Sequence, residues 1–460
     1  MAPSSAPLEF VVIDPTSNLK PGKSLQIRSR CMLGQNKRGS SRRTQREQRK
    51  AANQTDAETA SSFQAPIKAR LPPPNTLISD LAQVQFAHPG IDAQDKGLLF
   101  KAFAYNFANQ SLSPLDRCVD FDCLESASFE WAFRDPAFLH SVLCTSFAIQ
   151  DFTNPDWDGT PGRKTSFHLR EALLLLQAKM GQPDVHHDEA VLLVVINLAL
   201  LSAIYGDWWA AAAHFKGLHK IVQLRGNLAF LQQRPKLHFK LDRIDMVYTL
   251  SSGKKTFFLH PSVSWDQIIP PPYLPLPENL YPPSPAWDYR LANVFQDFQY
   301  LSLRINRNAL KRAFHNPACF QAILTSMQSR LVHLREIVTT PTEELVRLTM
   351  MALMTTTFKT PGRKIPYGWA IGHLEKVYQD VMNEGLLQYD TSLRFWVLMT
   401  VAFTITGEKP EWVKRAWRET EPGLTWETVK AHMVRVIWIE LVADKPGEEM
   451  FNRLEELRRS

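Results

Sequence analysis

The stretch from Ala190 to Tyr205 constrains the fold most. It runs sixteen residues with only Asn197 and Ser202 interrupting its apolar character, and it is bracketed by Asp188 before and Gly206-Asp207 after. A bilayer span needs ~20 such residues, so this run falls short of one. A helix that is apolar on nearly every side must be covered on nearly every side, which requires further helices packed around it. Asp188 is a natural N-cap for it. Asp207 then caps a following helix, Trp208–Arg225, with Gly226 where a C-terminal glycine belongs. Within that second helix Ala211, Phe215, Leu218 and Val222 recur on one face and form a packing stripe. Gly217 weakens it by ~1 kcal/mol relative to alanine, which suggests close approach of a neighbour.

Helical periodicity extends over most of the chain. Phe100, Phe103, Tyr105 and Phe107 suit a helix with an aromatic face. Further helices are predicted from about Pro136 to Gln150 and from Phe167 to Met180, closed by Gly181 and Pro183. The stretch Ile268–Pro285 (IIPPPYLPLPENLYPPSP) is too rich in proline for helix. Beyond it helices are predicted at Leu291–Ala313, Pro317–Ile337, Pro341–Phe358, Ala370–Glu384, Ser392–Thr406, Glu411–Glu419 and Thr425–Leu441. Little of the chain alternates with period two. The predicted class is all-α, a multi-helical solenoid-like or bundled array with a disordered basic N-terminal arm. Its predicted divisions are an N-terminal extended segment and basic arm (1–50), a linker (51–80), a first helical half (81–267), a proline-rich connection (268–287) and a second helical half (288–460). TPGRK occurs twice, at Thr160–Lys164 and Thr360–Lys364, but the flanks do not match and Pro-Gly is a turn dipeptide.

The formal charge of +7 conceals an asymmetry. Lys20, Lys23, Arg28, Arg30, Lys37, Arg38, Arg42, Arg43, Arg46, Arg49 and Lys50 crowd into one segment with a single acid, Glu47, while the remaining body is close to neutral. Such an arm attracts polyanions: nucleic acid, an anionic membrane or the acidic groove of a nuclear import receptor. The run Lys37–Lys50 (KRGSSRRTQREQRK) has the form of a bipartite import signal. DNA contact through phosphates would not by itself read sequence, and a solvated tail is the plainer alternative. The N-terminus lacks a basic region followed by an apolar one, so no secretory leader is expected. Five cysteines fit a reducing compartment better than a disulfide framework.

No catalytic constellation emerges. GxxxxGK[ST], GxGxxG after a strand, GxSxG and HExxH are absent. His186-His187-Asp188-Glu189 lies just before a helix, where its acids serve the positive dipole end rather than a metal. Cys118 and Cys123 have only Cys144 and His140 as further candidates nearby, and Cys31 stands alone in the arm, so neither a zinc site nor a six-cysteine zinc cluster is expected. His214 and His219 are five apart and do not share a face; His214 is read as a core or interface histidine. No cofactor and no metal are expected.

The segment GDWWAAAAHFKGLHKIVQLRGN, Gly206–Asn227, resembles the signature helix of fungal-specific transcription factor domains. Gly206, Asp207, Ala211, His214, Gly217, Leu218, Val222, Leu224, Arg225 and Gly226 match its pattern; Asn227 stands where a second glycine is usual. LDRIDMVYTLSSGKKTFF, with Arg243 and Asp245, resembles the segment that follows in that family, and the C-terminal WVLMTVAF segment is similar. Phe10, Arg28, Met32, Gly34, Asn36 and Lys37 match the opening of a subset that lacks the N-terminal zinc cluster; Arg30-Cys31 and Gln35 depart from it. The resemblance implies a helical regulatory domain and a nuclear, fungal transcription regulator. The partners then expected are other transcription regulators, a nuclear import receptor and, through the arm, DNA, with no membrane; the apolar helices permit a homodimer without requiring it. The alternatives are an interaction scaffold that does not touch DNA and, third, an enzyme within a helical body.

Overall fold

The structure, a computed structural model, describes residues 86–107 and 130–459 apart from 227–228, 232–233, 255, 259–262, 271–275, 277–278, 312–316, 358–364, 386 and 406–410. The basic arm, the linker, Cys118 and Cys123 lie outside the described residues. Among the described residues there are fifteen α-helices and no strand, the all-α class expected. They are α1 Ala93–Phe107, α2 Trp131–Arg134, α3 Pro136–Thr153, α4 Arg163–Met180, α5 Glu189–Tyr205, α6 Trp208–Leu224 and α7 Pro235–Ser252. After the proline-rich stretch come α8 Tyr289–Lys311, α9 Pro317–His333, α10 Pro341–Met354, α11 Gly368–Asn383, α12 Thr391–Thr404, α13 Glu411–Arg418, α14 Trp426–Val436 and α15 Glu440–Arg459.

Local sequence sets the helix starts. Asp135 caps α3 by accepting from Phe138 N at 2.8 Å, with Pro136 in the first turn, where its missing N–H costs nothing. Asp188 caps α5 by accepting from Ala190 N at 2.8 Å. Lys179, in the last turn of α4, donates to both capping carboxylates, Asp135 and Asp188. One cation at a negative helix end thus holds two anions at positive helix ends. The apolar α5 lies against α3, α6 and α7, and all but a few of its side chains are buried. Among the described residues no helix is long and apolar enough to cross a membrane.

Buried carboxylates organise the irregular connections. Asp245 of α7 accepts from the backbone amides of Phe257 and Phe258 at 2.7 and 2.8 Å. Asp297 of α8 accepts from Ile268 N and Ile269 N, and its charge is met by Arg330 of α9 at 2.7 Å, both side chains being fully buried. Glu343, partner of Thr340 in the capping box that opens α10, also accepts from Asp288 N at 2.7 Å. Three acids on three helices therefore absorb backbone donors of the chain between 257 and 288, groups that would be costly to bury unpaired. Buried apolar residues from Ile91 to Leu454 form one cluster that includes side chains from both sides of this stretch.

The end of the chain departs from the predicted helix Thr425–Leu441. Helix α14 stops at Val436, residues Ile437, Trp438 and Ile439 are buried without helical structure, and α15 begins at Glu440. Two side chains of α8 cause the break: Ser302 Oγ and Asn306 Nδ2 donate to the Trp438 carbonyl at 3.1 and 2.8 Å, and Asn306 Oδ1 accepts from Glu440 N at 3.0 Å.

Candidate functional site

The signature segment is a helix–turn–helix joint whose polar residues terminate and start helices. Gly206 takes φ +76°, the left-handed conformation that ends α5, and its amide donates to Ala203 O at 3.0 Å. Asp207 N donates to Ser202 O at 2.9 Å, and its carboxylate accepts from Ala210 N at 3.2 Å to open α6. Ala211, Phe215, Leu218, Ile221 and Val222 are the buried stripe of α6. His214 is half-buried on its flank, and burial pushes its imidazole down to about 4, so it is a neutral packing residue at neutral pH. Gly217 is half-buried in mid-helix. At the other end Arg225 donates from Nε to the His186 carbonyl and lies over the Phe230 ring at 5.2 Å, while Gly226 takes φ +87°. Arg225 thereby ties the end of α6 to the short turn that precedes α5. The outer face of α6 leaves Trp209, Lys216 and Lys220 exposed.

The second matching segment ends α7 and builds a junction with later helices. Asp245 is buried, and burial pushes its carboxyl up to about 7 against the opposing pull of the Phe257 and Phe258 amides. Gly253 takes φ +69°, and a Cβ there would lie 2.4 Å from Trp369 Nε1. Arg335 donates to the Gly253 carbonyl at 2.6 Å and lies over the Trp369 ring, whose other neighbour is the stacked His373 ring at 4.7 Å. His373 in turn approaches Glu344 at 3.1 Å, and Glu344 receives a two-pronged guanidinium from Arg347 at 2.6 and 2.8 Å. Despite burial, these two partners hold the Glu344 carboxyl down to about 2. Arg243 is half-buried on α7, two residues from Asp245.

Gly206 and Asp207 therefore stand at the turn between α5 and α6, Arg225 and Gly226 at the far end of α6 against the turn before α5, and Leu218 is buried between them, while Asp245 lies within α7 and Gly253 ends it. Arg28, Arg30, Lys37, Arg38, Arg42, Arg43, Arg46, Arg49 and Lys50 lie outside the described residues. Arg225 does not meet Asp242 or Asp245 as an ion pair; its partner is a backbone carbonyl. Sequence reasoning missed a buried chain of side chains in which His140 Nδ1 lies 2.9 Å from His168 Nδ1, and His168 Nε2 lies 3.3 Å from Asp95 Oδ1. Its members are far apart in sequence, and only the packing of α1, α3 and α4 unites them.

Two features come nearest to a reactive or ligand-binding arrangement. Ser392 Oγ and His432 Nδ1 are 2.9 Å apart, the spacing of a nucleophile and its base. Burial together with Arg435 pushes His432 down, and its ring packs on Phe395; no carboxylate orients it among the described residues, so the pair does not extend to a triad. An open groove of about 380 Å³ lies between Asn279-Leu280 and α14, floored by Leu280, Ala431 and Val434 with Glu427, Lys430 and Arg435 at its rim. Lys430 is already paired with Asp444 at 2.7 Å, and the groove has no converging polar set. No group of three or more histidine, cysteine, aspartate or glutamate side chains among the described residues could hold a metal ion.

Comparison with known proteins bears on the same region. No curated protein and no solved structure matches the chain. The family model of the fungal specific transcription factor domain matches residues 98–266, a span that contains α5, α6, α7 and both signature joints. Residues 98–266 are thus similar to a fungal specific transcription factor domain, and that similarity suggests a role in transcription regulation.

Proposed function

We propose that the chain is a nuclear regulatory protein in which the helical body is the regulatory and partner-binding part, and the basic arm serves nuclear import and sequence-independent DNA contact. The match of residues 98–266 to a transcription factor domain carries this reading. Charge supports the division of labour: eleven basic residues and one acid stand between Lys20 and Lys50, attached to a nearly neutral remainder. Arginine and lysine in that density bind polyanions through counterion release, without reading bases. Selectivity would then come from partners held by the body.

The test is a full-length tagged chain beside its Lys37→Ala, Arg38→Ala, Arg42→Ala, Arg43→Ala variant. The variant is expected to shift to the cytoplasm; an unchanged nuclear signal would remove the import role from the arm. In gel shifts with the full chain, the same four changes should weaken binding evenly across DNA sequences and flatten the salt slope by about 4. Full-chain binding that is absent at low salt would favour the scaffold reading, in which the body acts through other regulators alone.

A further inference from the structure

Helix α1 is fastened to α3 and α4 by a buried polar chain. Asp92 and Asp95 cap the start of α1 reciprocally, Asp95 N donating to Asp92 Oδ1 at 2.8 Å and Asp92 N to Asp95 Oδ2 at 3.1 Å. Lys164 of α4 reaches both carboxylates, at 2.5 and 2.7 Å. His168 of α4 completes the Asp95 contact and passes it to His140 of α3. Asp95, His140 and His168 are all at most 1% exposed. Among the described residues of α1 and the turn before it, Ile91, Leu98 and Leu99 are buried, whereas Ala93, Gln94, Gly97 and Lys101 face solvent.

Proton placement in the chain follows from the geometry. Asp95 can only accept, so His168 Nε2 carries a proton toward it, and the neutral His168 ring then has a lone pair on Nδ1. His140 must donate to that lone pair from its own Nδ1, which leaves His140 Nε2 as a bare lone pair, buried and without a hydrogen-bond partner. An added proton therefore goes to His140 Nε2. There it meets no acceptor, only the edges of the His88 and Phe167 rings at 5.0 and 6.1 Å. His88 belongs to the turn before α1, and its Nδ1 already accepts from Gly90 N. The other charged and titratable groups around the pair are Asp95 and Glu171, which favour protonation of His140, and His168 and His88, which oppose it; Lys164 opposes charge on His168. Burial is the largest effect and holds His140 down to about 4, with His168 lowered as well. The nearby Cys144 thiol, pushed up to about 12 by burial, takes no part.

We propose that the His140–His168 pair is a proton-operated clasp: protonation of His140 is relieved by detaching α1 and the turn before it from α3 and α4. The closed state binds its proton more weakly than the open one. Its advantage is present in full above the ordinary histidine range and is lost as pH falls from about 6.5 toward 4.

Hydrogen exchange of the full-length chain across pH 7.5 to 4.5, corrected for intrinsic rates, tests this. The amides of residues 97–101 should lose protection about tenfold per pH unit below 6.5, while α5 and α12 stay protected. His140→Asn places a non-titrating amide N–H near the Nδ1 position and should flatten that slope. Protection of α1 that does not change with pH, loss of protection in all helices together, or an unaltered slope in His140→Asn would each overturn the clasp. Should His140→Asn fail to fold, imidazole carbon NMR of the wild-type chain decides. His140 is expected to remain neutral until α1 opens, and titration near 6.5 with α1 still protected would overturn the proposal.

Discussion

Gly253 is where the family segment touches helix α11, and the contact depends on a missing side chain. Its φ of +69° and the Trp369 ring 2.4 Å from any Cβ both exclude alanine. Gly253→Ala is expected to cost about 1–3 kcal/mol, and a Trp369→Ala background should return part of that cost, read as a coupling energy in a urea-denaturation cycle. The buried pair Arg330–Asp297 is a sharper case. Arg330→Leu leaves Asp297 charged among apolar side chains, with only the Ile268 and Ile269 amides to meet it. The expected loss is about 3–5 kcal/mol, seen as a drop in denaturation midpoint with unchanged slope. Glu344 adds a pH dependence of known sign. Its folded carboxyl is held at about 2 by Arg347 and His373. Its contribution is therefore complete above the ordinary carboxylate value of ~4.5 and fades as pH falls from there toward 2. Glu344→Gln should be less stable at neutral pH and lose less on acidification over that interval. The long-range partners of these three residues could not be assigned from sequence, because Trp369, Asp297 and His373 lie 29 or more positions away and no local pattern links them; Arg347, three residues from Glu344, is the local exception.

Helices, by contrast, were legible wherever a chain-local rule sets them. Asp188 and Asp207 as N-caps, Pro136 in the first turn and Gly206 and Gly226 as terminators all act within four residues of where they stand, so their roles can be read without knowing the fold. The break at Ile437–Ile439 could not be. Those residues suit a continuing helix; what stops it is Asn306, more than 130 positions earlier, which binds the Trp438 carbonyl and the Glu440 amide. Asn306→Ala should cost about 1–3 kcal/mol by stranding both groups and should raise exchange at residues 437–440 ahead of the helices α14 and α15 on either side. Helix α15 was missed for a related reason. Pro446-Gly447 is a helix stop by local rules, yet both lie inside α15, where Gly447 admits the Trp426 and Trp438 rings at 2.9 Å from its would-be Cβ. Arg458 near the end of that helix then donates to the carbonyls of Trp417, Thr420 and Glu421, completing the C-terminus of α13.

At the scale of the molecule, the charge division between arm and body is legible from composition alone, since it needs only counting. The side-chain links between the family segment and the later helices were not legible. Helix α7, the last within residues 98–266, meets α9 and α11 through Asp242, whose carboxylate receives Thr325 and whose carbonyl receives Gln328 at 2.6 Å, and through Gly253 under Trp369. A fragment cut at residue 266 would present those groups, and the Asp245 turn, to water without the helices that cover them. Such a fragment should be soluble only poorly and show little cooperative melting in circular dichroism, whereas the chain from residue 86 onward should melt as one transition. The practical outcome concerns chimeras: swapping this protein's family segment into a relative would carry over half of a seam and leave its counterpart behind, so exchange has to follow the tryptophan-lined boundary rather than the limits of a sequence match.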